Sequence, residues 1–170
     1  MFTKVFDFVI KIEGGFKLHK NVTEDTVTYA GIYRAAHPNW IGWTFIDNGE
    51  EPPVSMVQEV YREAYWDKIP LEDGPMKGLI FEYGVNAGMG RALRTAQTVA
   101  GVDADGNLGP VSKKALEAMD FKLFLVMYNM ERVKYYAGLA NKNARKYDVY
   151  FRGWVNRVLE SQKWFEEHSA

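Results

Sequence analysis

Glu13 stands immediately before Gly14-Gly15, after a stretch in which Phe2, Val5, Phe6, Val9 and Ile10 recur at helical spacing. A carboxyl on the last turn of a helix faces the negative end of the helix dipole. Apolar neighbours such as Ile12 and Phe16 would desolvate it, and both effects favour the protonated form. A carboxylic acid that keeps its proton near neutral pH is what general acid catalysis requires. The two glycines end the helix and leave open space beside the carboxyl. Taken alone, the tripeptide reads more simply as a solvated Glu before a glycine cap.

A partner for such an acid is sought in Thr23-Glu24-Asp25-Thr26-Val27-Thr28-Tyr29-Ala30-Gly31-Ile32. A hairpin over residues 16–30 could fold back towards Glu13 and bring a second carboxylate, Glu24 or Asp25, or the hydroxyl of Thr28 to hold a water. The polar turn and alternating strand also make sense with no catalytic role. In Phe81-Glu82-Tyr83-Gly84-Val85-Asn86-Ala87-Gly88, Tyr83 and Asn86 could stack on and hydrogen-bond a sugar, or serve close helix packing. Tyr29, Tyr33, Trp43 and Gln97 complete the candidate substrate contacts. Asp103-Ala104-Asp105-Gly106-Asn107-Leu108-Gly109 opens like a calcium loop. It lacks the distal acidic ligand, because Lys113 and Lys114 follow, and a tight turn before Pro110 is the simpler reading. His19, His37 and His168 have no zinc-ligand spacing, and there is no phosphate loop, nucleophile elbow or cysteine.

Positioning these groups falls to a mostly helical chain. Helices are expected over 2–13, 31–36, 54–68, 75–88, 91–100, 111–142 and 144–167, with a loop over 39–53. The expected fold class is mostly α, an α+β arrangement with one small N-terminal β-hairpin. Hydrophobic residues at 47% and charged residues at 25% are ordinary globular usage and exclude disorder. The net charge of −1 disfavours a broadly basic nucleic-acid-binding surface. The charge is unevenly spread: residues 121–170 hold 9 Lys/Arg against 5 Asp/Glu, and residues 1–120 hold 12 against 17. A basic face near the C-terminus could therefore meet an anionic polymer. Aromatics at 15% are enough for a sugar-stacking surface as well as a core. No apolar run approaches the roughly 18 residues of a membrane span, so no stable membrane association is expected. Asp7, Lys11 and Glu13 interrupt the N-terminal stretch where a signal peptide would be uncharged. The expectation is cytoplasmic synthesis, with export left to another component.

The order of these pieces resembles the glycoside hydrolase family 108 lysozymes, N-acetylmuramidases of the phage endolysin type. The resemblance is carried by Phe8-Val9-Ile10-Lys11-Ile12-Glu13-Gly14-Gly15-Phe16, Thr28-Tyr29-Ala30-Gly31-Ile32, Tyr65-Trp66 and Phe81-Glu82-Tyr83-Gly84-Val85-Asn86-Ala87-Gly88. Gln97 with Gly101 to Pro110 is similar to the predicted peptidoglycan-binding segment that accompanies this family. The resemblance implies a lysozyme-like catalytic part over 1–90 and a helical C-terminal part over 91–170, packed as one globular unit. It implies hydrolysis of the β-1,4 bond from N-acetylmuramic acid to N-acetylglucosamine in peptidoglycan, with Glu13 as catalytic acid, no cofactor, and a holin or a secretion machinery for export. The sequence departs from the family in lacking the Gly-Gly turn before the Thr, and in carrying Glu82 where the family has Asp. A non-catalytic glycan- or partner-binding module and a lytic transglycosylase are the alternatives.

Overall fold

The computed structural model describes residues 1–20 and 25–169, apart from the side chain of Asp148. Its elements run α1 (Phe2–Ile12), β1 (Leu18–His19), β2 (Thr28–Tyr29), β3 (Ile32–Tyr33), α2 (Gly42–Asp47), α3 (Val54–Ala64), a 3-10 turn (Trp66–Lys68), α4 (Pro75–Ala87), α5 (Met89–Val99), α6 (Pro110–Glu117), α7 (Phe121–Lys142) and α8 (Ala144–His168). The fold is mostly α and lysozyme-like, with one small antiparallel sheet in the order β1-β2-β3. Among the described residues no helix is long and apolar enough to cross a membrane. The chain forms two compact units, Phe2–Asp67 and Lys68–Ala170 with Met1.

The N-terminal unit is organised on α1. Its apolar stripe buries Phe2, Val5, Phe6, Val9 and Ile10, the residues that repeat at helical spacing. Phe6 meets the Tyr61 ring edge-on at 5.4 Å, and Phe2 meets Trp66 at 5.2 Å. Such offset and edge contacts suit the ring quadrupoles. The sheet pairs Leu18 with Tyr29 and His19 with Thr28, then Thr28 with Tyr33 and Tyr29 with Ile32. Ala30 (φ 47°) and Gly31 (φ 78°) form a two-residue connection with both residues at positive φ, as a type I′ turn requires. This turn replaces the helix expected over 31–36: Gly31 serves the hairpin, and Ile32–Tyr33 is its third strand. The stretch 39–53 is likewise no plain loop. It holds α2, whose Trp43 is buried and donates its Nε1–H to the His37 carbonyl at 2.7 Å. Arg34 clamps Asp47 with two bonds of 2.7 Å, a bidentate geometry that matches guanidinium to carboxylate.

The C-terminal unit surrounds α4, in which every residue from Gly78 to Gly84 is buried. A helix that is covered all round belongs in a core. Its one charged core residue, Glu82, is fully enclosed and shared by two arginines. Arg157 donates Nε–H to Oε1 at 2.7 Å, and Arg132 Nη1 stands 2.8 Å from Oε2. The Ser161 hydroxyl donates to Oε2 at 3.1 Å. Burial raises the Glu82 carboxyl, but Arg132 and Arg157 outweigh it and hold the group below its ordinary value. One ion cluster thus joins α4, α7 and α8. The single helix expected over 111–142 is two, because Asp120 caps a new start by accepting the Leu123 N–H at 3.0 Å. Asn143 caps α8 in the same way through Lys146 N–H.

Candidate active site

Glu13 follows the last residue of α1, and its amide still donates to the Val9 carbonyl at 2.9 Å. Gly14 then turns to φ 96° and Gly15 to φ 83°, and Gly15 N–H reaches back to the Ile10 carbonyl at 2.8 Å. That six-residue closure is the Schellman exit, which needs a left-handed residue that only glycine adopts without strain. The glycine pair therefore fixes the backbone at Glu13. The side chain is half-buried, so its carboxyl is held but reachable.

The tip of the β2–β3 hairpin is set against this side chain. A methyl built on Gly31 would lie 3.9 Å from Glu13 Cγ and only 2.3 Å from the Tyr61 hydroxyl. Tyr61, buried on α3, donates that hydroxyl to the Ala30 carbonyl at 3.0 Å. The hydroxyl thus holds the turn by its backbone, and Gly31 admits it because it has no side chain. Tyr65, four residues further along, has its hydroxyl pKa raised first by burial and then by the charge of Glu13. Tyr65 is the cap residue that ends α3, so the end of this helix brings a second phenol under the influence of the Glu13 charge. Tyr61 and Tyr65 escape a reading of the sequence for carboxylates. Their i, i+4 spacing on an amphipathic helix was the available signal.

The other sequence-predicted residues divide between the two units. In the N-terminal unit, Thr28 is buried on β2 opposite Tyr33 of β3, which is half-buried. Asp25 is exposed, and Glu24 lies outside the described residues. Tyr29 is buried and stacks on Trp40 at 6.3 Å, with its hydroxyl pKa raised by burial and then by Glu51. Trp43 is buried on α2 against the same Trp40, ring edge to ring face at 5.1 Å. In the C-terminal unit, Tyr83 is fully buried between Tyr128 and Tyr136. Asn86 accepts a short hydrogen bond from the Tyr136 hydroxyl. Gln97, 1% exposed, uses both ends of its amide as a brace: Nε2 donates to Asp105, the Asn107 carbonyl and Ser112, and Oε1 accepts Gly106 N–H at 2.7 Å. The 103–109 segment is thereby a stapled turn, with its central carboxylate already engaged. Among the described residues no group of three His, Cys, Asp or Glu could hold a metal ion.

A half-buried carboxyl at a fixed helix exit, beside a tight turn whose Gly31 carries no side chain, can deliver a proton to an oxygen brought beside it. Residues 6–88 match the family model described as Glycosyl hydrolase 108, and residues 91–159 match the one described as Predicted Peptidoglycan domain. The solved structure of Brucella abortus SagA has the same fold, with a TM-score of 0.76 at 22% identity over 99% of this chain and 95% of that one. No curated protein matches the chain.

Proposed function

We propose that this chain, which belongs over residues 6–88 to the glycosyl hydrolase 108 family and is a peptidoglycan hydrolase, uses Glu13 as its general acid. The bond cleaved is the β-1,4 linkage from N-acetylmuramic acid to N-acetylglucosamine. The Glu13 carboxyl gives its proton to the glycosidic oxygen as the carbon–oxygen bond breaks, and oxocarbenium character develops on the muramic sugar. The free N-acetylglucosamine hydroxyl leaves with that proton. Water, or first a carboxylate, attacks the anomeric carbon from the other face. Asp25, Glu24 and Thr28 are the residues proposed for that face. Tyr61 and Tyr65 keep the hairpin tip and the acid in register, and Tyr29, Tyr33 and Trp43 frame the sugar side. Tyr83, Asn86 and Gln97 support the C-terminal unit.

The observation that carries this reading is the placement of Gly31, in a turn held by the Tyr61 hydroxyl, beside the Glu13 side chain. Glu13→Gln is expected to lower peptidoglycan turnover by about 10²–10⁴-fold while the melting temperature stays within a few degrees. Wild-type turnover in the purified variant would remove the assignment. Product analysis carries the second arm: new reducing ends accompany hydrolysis, whereas anhydro-muramic ends would make the enzyme a lytic transglycosylase. Single changes Asp25→Ala, Glu24→Ala and Thr28→Ala, with the anomer of the first product recorded, identify the group on the far face. Action on the cell wall also requires passage across the inner membrane, and delivery by a holin or a secretion machinery belongs to this proposal.

A further inference from the structure

The junction of α7 and α8 carries a second chemistry-bearing cluster, built on other residues than those around Glu13. Tyr136, buried on α7, is tethered by its hydroxyl to Asn86. The Trp154 ring lies over it, nearly parallel, with centroids 4.9 Å apart and planes at 18°. Tyr150 continues the pile at 5.9 Å and 25°, and Tyr147 leans on Trp154 at 5.9 Å. Burial falls along this row. Tyr136 is 2% exposed, Trp154 is half-buried, and Tyr150 is 55% exposed. The rings therefore form a ladder anchored in the core and rising to solvent.

Exposing a Tyr to this extent beside Val149, itself 77% exposed, runs against burial of apolar surface. The stretch of chain that carries the ladder is basic. Lys142, Arg145, Lys146 and Arg152 are all exposed, and Lys146 sits over the Tyr147 ring at 5.0 Å. Between residues 142 and 152 the only acidic residue in the sequence is Asp148. A ring face next to cations suits a ligand with flat C–H faces and negative charge. A pyranose presents such faces, and a glycan bearing lactyl or peptide carboxylates supplies the charge.

We propose that this ladder, centred on Tyr150 and Trp154 with Arg145 and Lys146 beside it, is an accessory binding site for the carboxylate-bearing glycan of peptidoglycan. The assignment rests on the peptidoglycan reading above. Every residue in it except Asn86 lies within the segment 91–159 that matches the predicted peptidoglycan domain. Stacking supplies grip that tolerates variation along the strand, and the cations favour strands that keep their acidic peptides. Nucleic acid, which also stacks on exposed rings, and an anionic membrane are the competing occupants. The net charge of −1 disfavours both, since each relies on a broadly basic surface.

The test uses the full chain carrying Glu13→Gln, so that the ligand is not consumed, and measures its retention on purified sacculi. Adding Tyr150→Ala, at an exposed position, is expected to weaken retention about two- to tenfold. Adding Arg145→Glu with Lys146→Glu is expected to weaken it further, with a gap that narrows as salt rises. Removing the stem peptides with an amidase takes away their carboxylates but frees one lactyl carboxylate on each muramic residue, so it is expected to shrink the effect of the charge reversal without erasing it and to keep that of Tyr150→Ala. Equal retention by the Tyr150→Ala protein overturns the site. So does stronger binding to phosphatidylglycerol vesicles or a single-stranded oligonucleotide than to sacculi. Cleavage of soluble muropeptide oligomers by the unmutated protein is scored separately. If cleavage is missing while retention still depends on Tyr150, the enzymatic reading fails and the site stands; the opposite pattern removes the site alone.

Discussion

The pairing of Gly31 with the Tyr61 hydroxyl makes a sharp prediction about how the N-terminal unit is held. Gly31→Ala places a Cβ at φ +78°, a conformation that costs an L-residue about 1–2 kcal/mol. That Cβ also meets the Tyr61 hydroxyl oxygen at 2.3 Å, more than an ångström inside ordinary contact, which adds about 1–3 kcal/mol of overpacking. The variant should thus melt roughly 5–20 °C below the wild type. Tyr61→Phe removes the clashing atom but leaves the buried Ala30 carbonyl without its 3.0 Å donor, a loss of about 1–3 kcal/mol. The next ring atom, Tyr61 Cζ, would stand 3.6 Å from the alanine methyl, which is normal contact. The double variant should therefore escape the overpacking and be about 1–3 kcal/mol more stable than the sum of the singles predicts. Urea denaturation of all four proteins, read by near-ultraviolet dichroism and paired with peptidoglycan turnover, supplies the cycle. Additivity within about 0.5 kcal/mol would mean that the hydroxyl and the glycine do not meet, and the account of how the hairpin tip is held beside Glu13 would fall.

Four other outcomes follow from the C-terminal unit. Glu82→Gln leaves two buried guanidiniums without their carboxylate and should cost about 3–5 kcal/mol in denaturant titrations; a loss under 1 kcal/mol contradicts the cluster's role. The folded Glu82 pKa is depressed, so its contribution is full above the ordinary Glu value near 4.3 and disappears as pH falls through the lower folded value. Urea midpoints of the wild type should then drop on acidification below about pH 4, and those of Glu82→Gln should drop less. Gln97→Ala should raise the pKa of Asp105, which the Gln97 bond and then the Asn107 N–H hold low; an unchanged carboxyl titration by NMR argues against the brace. Tyr83→Ala, in a core position, should cost about 3–5 kcal/mol, and a variant that loses turnover without losing stability would instead make Tyr83 a substrate contact.

Much of this was legible in the chain because local rules and tertiary packing agree there. The stripe of α1, its glycine exit and the position of Glu13 need only helical periodicity and the left-handed preference of glycine. The same periodicity finds α3, α4, α5 and α8 to within a few residues. Reading failed where one residue had two local uses. Gly31 can begin a helix or close a turn, and the pairing of Thr28 with Tyr33 decides for the turn. Asp120 can sit mid-helix or cap one, and the Leu123 amide decides for the cap. The α2 helix hid because its six residues show less than two turns of pattern. Tyr61 and the Glu82 cluster were out of reach for another reason. Their partners are 31, 50 and 75 positions away, and no local rule specifies such meetings.

That last separation bears on how the chain comes into being. Glu82 is synthesised long before Arg157 and Ser161, which sit 75 and 79 residues downstream. Until those residues leave the ribosome, α4 carries a carboxylate that cannot be enclosed with its full set of partners, so the helix must stay wet or loosely covered. The final helix is thus no appendage: a product cut short after α7 would expose an apolar helix around a stranded acid, the kind of surface that chaperones and proteases act on.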